Sequence, residues 1–220
     1  MSQIESVDID YQKRINFLEP FQSDIPDWLR EIKEVGIKRK VPIVDDDMGR
    51  YLKTICSLYR PENILELGCG ISYATHWMLL GSPDSQIIAL DYNQDRLDMC
   101  RSFLQTSGFL NQVDLRRVWA EDFFAENNNQ FDLIFQDSTK KNYSNMIEAC
   151  CKSLKIGGFF IVDNIFFNGK VLGLKPDQLK KYGPGVQSLK SFIAQISQHP
   201  QFDCNFFAIS DGVLVAQRNS

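Results

Sequence analysis

Four residues in the second half of the chain could do chemistry together: Asp137 and Lys140 in Asp137-Ser138-Thr139-Lys140, and the adjacent pair Asp163-Asn164. Each group follows a short apolar run, Phe131 to Gln136 and Phe159 to Val162, of the kind that forms a buried strand. If the two strands are neighbours, two carboxylates and an amide oxygen converge at their carboxyl ends, where open α/β sheets bind ligands. Oxygen-only ligands of this type suit Mg²⁺, with water and substrate completing an octahedron. Either acid alone would read as a loop residue capping a helix. Together they are more specific.

A second group lies earlier. Glu66-Leu67-Gly68-Cys69-Gly70 stands where the strand Ile64 to Leu67 meets a helix. Glycines there let backbone approach a ligand closely. The dinucleotide fingerprint is incomplete because position 73 is Tyr, so a tight packing turn stays open beside a ligand loop. Asp91 closes the strand Ile87 to Leu90, about 20 residues after the loop, where an acid can accept hydrogen bonds from both hydroxyls of a ribose. Asn93 and Asp95 beside it also suit the start of a helix.

These residues need a frame. Residues 1 to 60 read as helical: Pro26, Asp27, Trp28, Leu29 and Ile32 resemble a capped amphipathic start, and Met48 to Tyr59 puts Met48, Tyr51, Leu52, Ile55 and Leu58 on one face. From 63 onward, short apolar runs alternate with helix-length segments. Strands are predicted at 64–67, 87–90, 113–118, 131–136 and 158–162, and helices at 73–80, 94–106 and 143–154. This alternation implies a mostly parallel sheet with helices on both faces. A helix near 186–197 then leads to strands at 202–209 and 213–216, joined by Ser210-Asp211-Gly212 as a terminal antiparallel hairpin. The stretch 166–185, with Gly169, Gly173, Gly183, Pro184 and Gly185, reads as a long loop at the chemical edge and as the specificity element.

Composition narrows the function classes. The 220 residues include 44% hydrophobic and 24% charged residues and 16 Phe, enough for one compact domain with a sizeable core. We expect a single domain over 1–220, with a helical layer at 1–60 and a ligand-binding sheet domain at 61–220. The formal charge of −4 gives no overall basic footprint for nucleic acid. The six cysteines form no CxxC pair and several sit in apolar runs, which suits reduced, buried thiols. Met1 to Asp10 carries three acids and no basic residue. No apolar run approaches the roughly 18 residues of a membrane span. The expected location is cytoplasmic, with no membrane partner.

The constellation resembles the small cation-dependent O-methyltransferases that use S-adenosylmethionine, the family of catechol and caffeoyl-CoA O-methyltransferases and their bacterial relatives. The resemblance covers about residues 41 to 217. It rests on Val41-Pro42-Ile43, Gly49, Leu65-Glu66-Leu67-Gly68, Asp91, the Phe135-x-Asp-x-x-Lys-x-x-Tyr143 order, Gly157-Gly158 and Asp163-Asn164. Asn168-Gly169-Lys170-Val171 and His199-Pro200 with Asp211-Gly212 also resemble the bacterial subgroup that methylates 5-hydroxyuridine in tRNA. The resemblance implies a Rossmann-like class I methyltransferase fold: a mostly parallel seven-stranded sheet with a C-terminal antiparallel hairpin and N-terminal helices. It also implies a homodimer.

By position, it places Glu66 and Gly68 along the methionine part of the cofactor with Val44 packed near that end, Asp91 at the ribose, and Glu121 or Asp122 beside the adenine, and it counts Gly70, Ser72, Tyr92 and Tyr143 among the cofactor-binding residues. Asp137, Asp163 and Asn164 would be the metal ligands, with Asp137 also beside the cofactor. Lys140 matches the proposed general base, and Tyr143 completes its motif. The family's usual aromatic-serine pair stands here as Tyr73-Ala74, leaving Ser72 or Thr75 to supply a hydroxyl, and Trp119-Ala120 replaces a common Gly-Asp pair. His76 is expected beside the cofactor loop and His199 at a surface helix end. Methyl transfer from a sulfonium is an in-line displacement, so a deprotonated acceptor oxygen must be presented to the methyl carbon. Mg²⁺ would orient the acceptor and lower its pKa.

The expected acceptor is a catechol-like or phenolic small molecule. The runner-up is 5-hydroxyuridine in tRNA, to which Lys140, Lys141, Lys170, Lys175, Lys180 and Lys181 near the predicted mouth lend some support. A third reading is a non-catalytic cofactor-binding regulator, against which the Asp137, Lys140, Asp163 and Asn164 set counts.

Overall fold

The computed structural model describes residues 11–140 and 143–220. Met1 to Asp10 and Lys141 therefore lie outside the described residues. Three helices come first: α1 (Tyr11–Leu18), α2 (Asp27–Arg39) and α3 (Asp46–Tyr59). The chain continues through β1 (Asn63–Leu67), α4 (Tyr73–Gly81), β2 (Gln86–Asp91), α5 (Gln94–Ser107), β3 (Val113–Arg117), α6 (Ala120–Glu126) and β4 (Phe131–Gln136). It closes with α7 (Tyr143–Ser153), β5 (Leu154–Val162), α8 (Leu179–Ile196), β6 (Phe202–Phe207) and β7 (Val213–Arg218).

The seven strands form one sheet in the order β3-β2-β1-β4-β5-β7-β6. Neighbours from β3 to β5 run parallel, and β7 is antiparallel to both β5 and β6. The expected mixed sheet with its C-terminal hairpin is present. The chain steps outward from β1 to β2 and β3, then returns to place β4 on the other side of β1. That reversal opens a crevice at the carboxyl ends of the central strands.

Strand alternation divides the core into two layers. Ile64, Ile87, Leu133 and Phe135 meet α3, α4 and α5 through Met48, Leu52, Trp77 and Leu104. Leu65, Leu67, Ile134 and Phe160 face the opposite way, against α7 and α8 through Met146, Cys150, Leu189 and Phe192. Helix α4 has every residue from Tyr73 to Leu79 buried, because α3 covers its outer side. A Cβ at Gly49 would lie 2.2 Å from Trp77 Nε1, so only glycine lets α3 and α4 approach this closely.

Several boundaries differ from the sequence reading. The buried stripe of α3 is Met48, Gly49, Leu52 and Cys56, while Leu58 is 78% exposed. Small Gly49 and Cys56 fit the tight contact where a hydropathy pattern selects larger side chains. Helix α6 was not anticipated. It is short, and only Phe123 is buried on it. Helix α8 begins at Leu179 and carries Pro184 inside it, so 179–185 is helix and not loop. Burial of Val186, Leu189, Phe192 and Ile196 overrides the local breaking tendency of Gly183-Pro184-Gly185. Strand β5 starts at Leu154, four residues early, with a register irregularity against β4 that accommodates Gly157 at φ +83°. Strand β6 stops at Phe207, leaving a wider turn before β7.

All six cysteines are free, and only Cys204 is not fully buried. No helix among the described residues is long and apolar enough to cross a membrane.

Candidate active site

A cavity of about 750 Å³ occupies the crevice at the carboxyl ends of β1, β2, β4 and β5. Its wall includes Val44, Gly68, Gly70, Asp91, Tyr92, Glu121, Asp137, Lys140 and Asn164, nine of the residues singled out by sequence. Glu66, Ser72, Asp122, Tyr143 and Asp163 are not part of that wall.

At one end the loop after β1 turns sharply. Gly68 adopts φ +93° and Gly70 φ +56°. A Cβ at Gly68 would lie 2.8 Å from the carbonyl oxygen of Asp137, so both the dihedral and the contact with the β4 loop require glycine. The amides of Gly68 and Cys69 both donate to Leu90 O at 2.9 Å, tying this loop to the end of β2. Asp91 Oδ2 accepts from Gly70 N at 3.1 Å, and Oδ1 accepts from Asn93 N at 2.8 Å. Arg96 adds an ion pair at 3.6 Å. The carboxylate is thus fixed in orientation at the wall, with lone pairs left over for ligand hydroxyls. Asn93 takes the capping role at α5, accepting from Arg96 N.

Tyr92 and Trp119 stack at 4.5 Å between centroids and 9° between planes, each about half exposed. The sequence reading noted Trp119 only as a departure. Its position directly after β3 was the available signal.

Behind the glycine loop, Glu66 is sealed from solvent. Thr75 Oγ1 donates to its Oε2 at 2.6 Å, and Oε1 has no partner in the protein. Burial pushes its pKa up to about 8, against the opposing effect of the Thr75 hydrogen bond. Ser72 sits at φ +68° with its hydroxyl donating to Ile71 O, turned away from the cavity. Of the two hydroxyls considered for the loop, Thr75 thus serves Glu66 and Ser72 serves its own backbone. His76 Nδ1 is 2.6 Å from Ser72 O and Nε2 is 2.9 Å from Ser107 Oγ; burial lowers its pKa to about 4. His199 follows α8 and pairs with Glu148 at 3.1 Å.

The other end is charged. Register pairing of Gln136 with Val162 places Asp137 and Asp163 side by side, one residue beyond β4 and β5. Lys140 Nζ donates to Asn164 Oδ1 at 3.2 Å and to Tyr143 Oη at 3.1 Å, and lies 3.7 Å from Asp137 Oδ1. Tyr143 Oη in turn donates to Ser138 O at 3.0 Å, so this buried tyrosine holds the lysine and its loop. Asn164 adopts φ +58°, a left-handed conformation that asparagine tolerates and that aims its amide into the cluster.

Burial raises the pKa of Asp137, with Lys140 acting against it. Burial and then Asp137 push Asp163 up to about 7. Burial acts to lower the pKa of Lys140, but Tyr143 and Asp137 outweigh it and the net shift is upward. Asp163 Oδ1 accepts from Asn164 N at 2.7 Å, while Oδ2 is buried with no partner in the protein. Asp45, missed by the sequence reading although it adjoins Val44, raises both acids further and is anchored by Ser210 Oγ at 2.7 Å.

Crowded carboxylates, an orphaned carboxylate oxygen and an amide oxygen form a donor set that fits a hard divalent cation. Among the described residues no group of three or more His, Cys, Asp or Glu does so. The third protein ligand would therefore be Asn164.

The O-methyltransferase family profile matches residues 20–219. Caffeoyl-CoA O-methyltransferase 1 of Eucalyptus globulus is 26% identical over 207 residues, covering 89% of this chain and 83% of that protein. Caffeoyl-CoA O-methyltransferase 1 of Arabidopsis thaliana is 25% identical over 208 residues, covering 89% and 79%. Among solved structures, an SAH-bound Podospora anserina methyltransferase superposes with a TM-score of 0.87 at 23% identity, covering 100% of both chains. The Bacillus cereus O-methyltransferase in complex with SAH gives 0.82 at 23% identity, covering 94% of this chain and 97% of that one.

Proposed function

The chain belongs to the O-methyltransferase family, and on that premise we propose that it transfers a methyl group from S-adenosylmethionine to a hydroxyl of a phenolic or catechol-like small molecule, assisted by a divalent cation. The observation that carries this reading is one continuous cavity with a fixed ribose-type acid, Asp91, at one end and the Asp137, Lys140 and Asn164 cluster at the other. Residues 1–220 would act as one methyltransferase domain.

Val44, Gly68 and Gly70 would pack against the methionine end, Asp91 would take the ribose hydroxyls, and Tyr92, Trp119 and Glu121 would border the base. Glu66, Ser72 and Tyr143 would support that wall from behind, whereas Asp122 is exposed on α6 and outside it. Asp137, Asp163 and Asn164 would hold the cation, which supplies orientation of the acceptor oxygens and a lowered hydroxyl pKa. In the transfer the acceptor oxygen forms a bond to the methyl carbon while the carbon–sulfur bond breaks, its electron pair staying on sulfur. The hydroxyl proton passes to Lys140 Nζ, whose ammonium form a nearby cation would disfavour. Tyr143 keeps that amine aimed at Asn164.

The test is calorimetric binding of S-adenosylmethionine to the purified protein, followed by methyl transfer to catechols and to hydroxyuridine-bearing tRNA with and without chelator. Chelator-sensitive methylation of a catechol is the expected result. Failure to bind the cofactor would overturn the reading.

A further inference from the structure

The residue after Val44 directs its charge to an unexpected place. Asp45 is the N-cap of α3, at φ −69° and ψ 159°, a position where an aspartate ordinarily accepts from an amide of the first helical turn. Its carboxylate makes no such bond. Instead Oδ2 accepts from Ser210 Oγ at 2.7 Å, a partner 165 residues away in sequence. The neighbouring Asp46 is paired with Lys33 at 2.7 Å and accepts from Tyr73 Oη at 2.9 Å. Asp45 forms no ion pair among the described residues.

Ser210, which aims it, sits at φ +50° in the turn between β6 and β7. The same turn holds the chain just beyond Asn164: Ile165 N donates to Gly212 O at 3.1 Å, Phe166 N to Asp211 O at 2.9 Å, and Asn168 N to Asp211 Oδ2. One turn therefore positions both Asp45 and the segment that carries the expected amide ligand. The charge of Asp45 adds to the proton affinity of both Asp137 and Asp163. Asp163 is 1% exposed, and its Oδ2 has no partner in the protein. An extra carboxylate turned toward two buried acids is unfavourable unless a cation stands among them. With all three acids ionised, Lys140 offsets one charge and leaves two, the charge of a divalent ion. Asp45 itself is exposed, beside the wall residue Val44. Ions such as Mg²⁺ keep several of their waters, so a carboxylate at the rim can act through one of them.

We propose that Asp45, aimed by Ser210, is a third carboxylate of the cation site, which acts on the ion through a coordinated water and sets how tightly the ion is held. This rests on the cation-assisted methyltransferase reading and adds to it a positioning residue from the N-terminal layer. Asp137, Asp163 and Asn164 touch the ion from the sheet side, and Asp45 faces it from the rim.

The test is titration of the purified protein with Mn²⁺, following the paramagnetic resonance signal of the free ion, with and without S-adenosylhomocysteine. Asp45→Asn keeps an equally good N-cap for α3 and is expected to weaken Mn²⁺ binding about tenfold, the size usual for groups that act on a metal from behind its ligands. Asp45→Glu should recover part of the loss. Ser210→Ala, which keeps the carboxylate but no longer aims it, should cost about threefold, the size of one hydrogen bond. Asp24→Asn makes the same change of net charge at an exposed acid beside Arg30 and should leave the affinity as it is. The melting temperature and the S-adenosylhomocysteine affinity of Asp45→Asn should stay close to wild type, which a merely structural role would not allow. Unchanged Mn²⁺ affinity in Asp45→Asn, with binding abolished in Asp137→Ala, would overturn the proposal and leave the methyltransferase reading standing. An equal loss in Asp24→Asn would also overturn it. Asp45-dependent Mn²⁺ binding in a protein that methylates no acceptor would keep the role of Asp45 and overturn the methyltransferase reading. A wild type that binds no Mn²⁺ under either condition would overturn the proposal together with the cation.

Discussion

The two ends of the cavity bury acids and settle the cost in opposite ways. Beneath the Gly68–Gly70 loop, Glu66 is sealed against Thr75 with its pKa pushed up to about 8 by burial, so it carries a proton at neutral pH. Beside it Asp91 is held in place by two backbone amides and Arg96. Glu66 Oε1 also has no partner in the protein, but the proton that burial favours removes its charge, so this end is neutralised within the chain. At the other end burial raises the proton affinity of both Asp137 and Asp163, Asp137 raises that of Asp163 further, one oxygen of Asp163 has no partner in the protein, and Lys140 sits beside Asp137. Charge there is arranged around a space and not cancelled. A binding surface can be built from satisfied backbone and a fixed acid, whereas a reacting centre keeps groups whose proton affinities are poised.

The most severe way to break this comparison is Asp137→Ala. It removes a proposed cation ligand and the partner of Lys140 while leaving the loop backbone that Gly68 contacts. We expect turnover to fall by about 10³-fold or more, about 4 kcal/mol of barrier, and S-adenosylmethionine affinity measured by calorimetry to fall by much less. Equal losses in both would mean that the two ends act as one unit.

Next in size is a pH effect confined to the sealed end. The folded-state pKa of Glu66 lies above its ordinary value of 4.5, so the folded protein binds the extra proton, and stability drains away as pH rises from 4.5 toward 8. The folded-state pKa of His76 lies below its ordinary 6.5, so the unfolded chain binds the extra proton, and stability is lost as pH falls from 6.5 toward 4. Over that shared range the two contributions oppose each other. Glu66→Gln removes one of them. Between pH 4.5 and 7 the change in unfolding free energy should differ between variant and wild type by about 3 kcal/mol, with the variant gaining on the wild type as pH rises. Denaturant titration at the two pH values measures this, and parallel profiles would show that Glu66 is ionised in the folded protein.

How far each end could be read from sequence follows the same division. Asp137, Lys140, Asp163 and Asn164 were legible because each lies at or just beyond the end of an apolar run, and the β4–β5 register brings them together. Asp91 was legible by its distance from the glycine loop. Glu66 and Ser72 were legible as positions but not as orientations. The pleat of β1 turns Glu66 to the helix side, and the left-handed backbone at Ser72 turns its hydroxyl inward, neither of which leaves a mark in composition. The mostly parallel sheet followed from the alternation of runs, whereas seven strands were implied by the family resemblance and their order was not read from the sequence. The start of α8 was not legible either, because Gly183-Pro184-Gly185 signals a break that packing of Phe192 and Leu189 overrides. Asp45 entered the cluster only through tertiary contact with Ser210, 165 residues away.

The smallest effect tests the aromatic border of the neutralised end. Tyr92 follows β2 and Trp119 follows β3, so their stack spans two strands at the cavity rim, and each ring is about half exposed. An offset pair of this kind contributes roughly 0.5–1.5 kcal/mol beyond its buried area. Trp119→Ala removes that coupling and leaves the Tyr92 ring unsupported, but touches neither Asp91 nor the acid cluster. The loss should appear as about fivefold weaker cofactor binding, close to 1 kcal/mol, and Trp119→Phe should recover most of it because a smaller ring can still stack. If Trp119→Ala instead altered the concentration of divalent cation needed for turnover while cofactor affinity held, the border would belong to the reacting end. The division between a surface neutralised within its own chain and a centre left open for charge would then fail at the place where the cavity joins them.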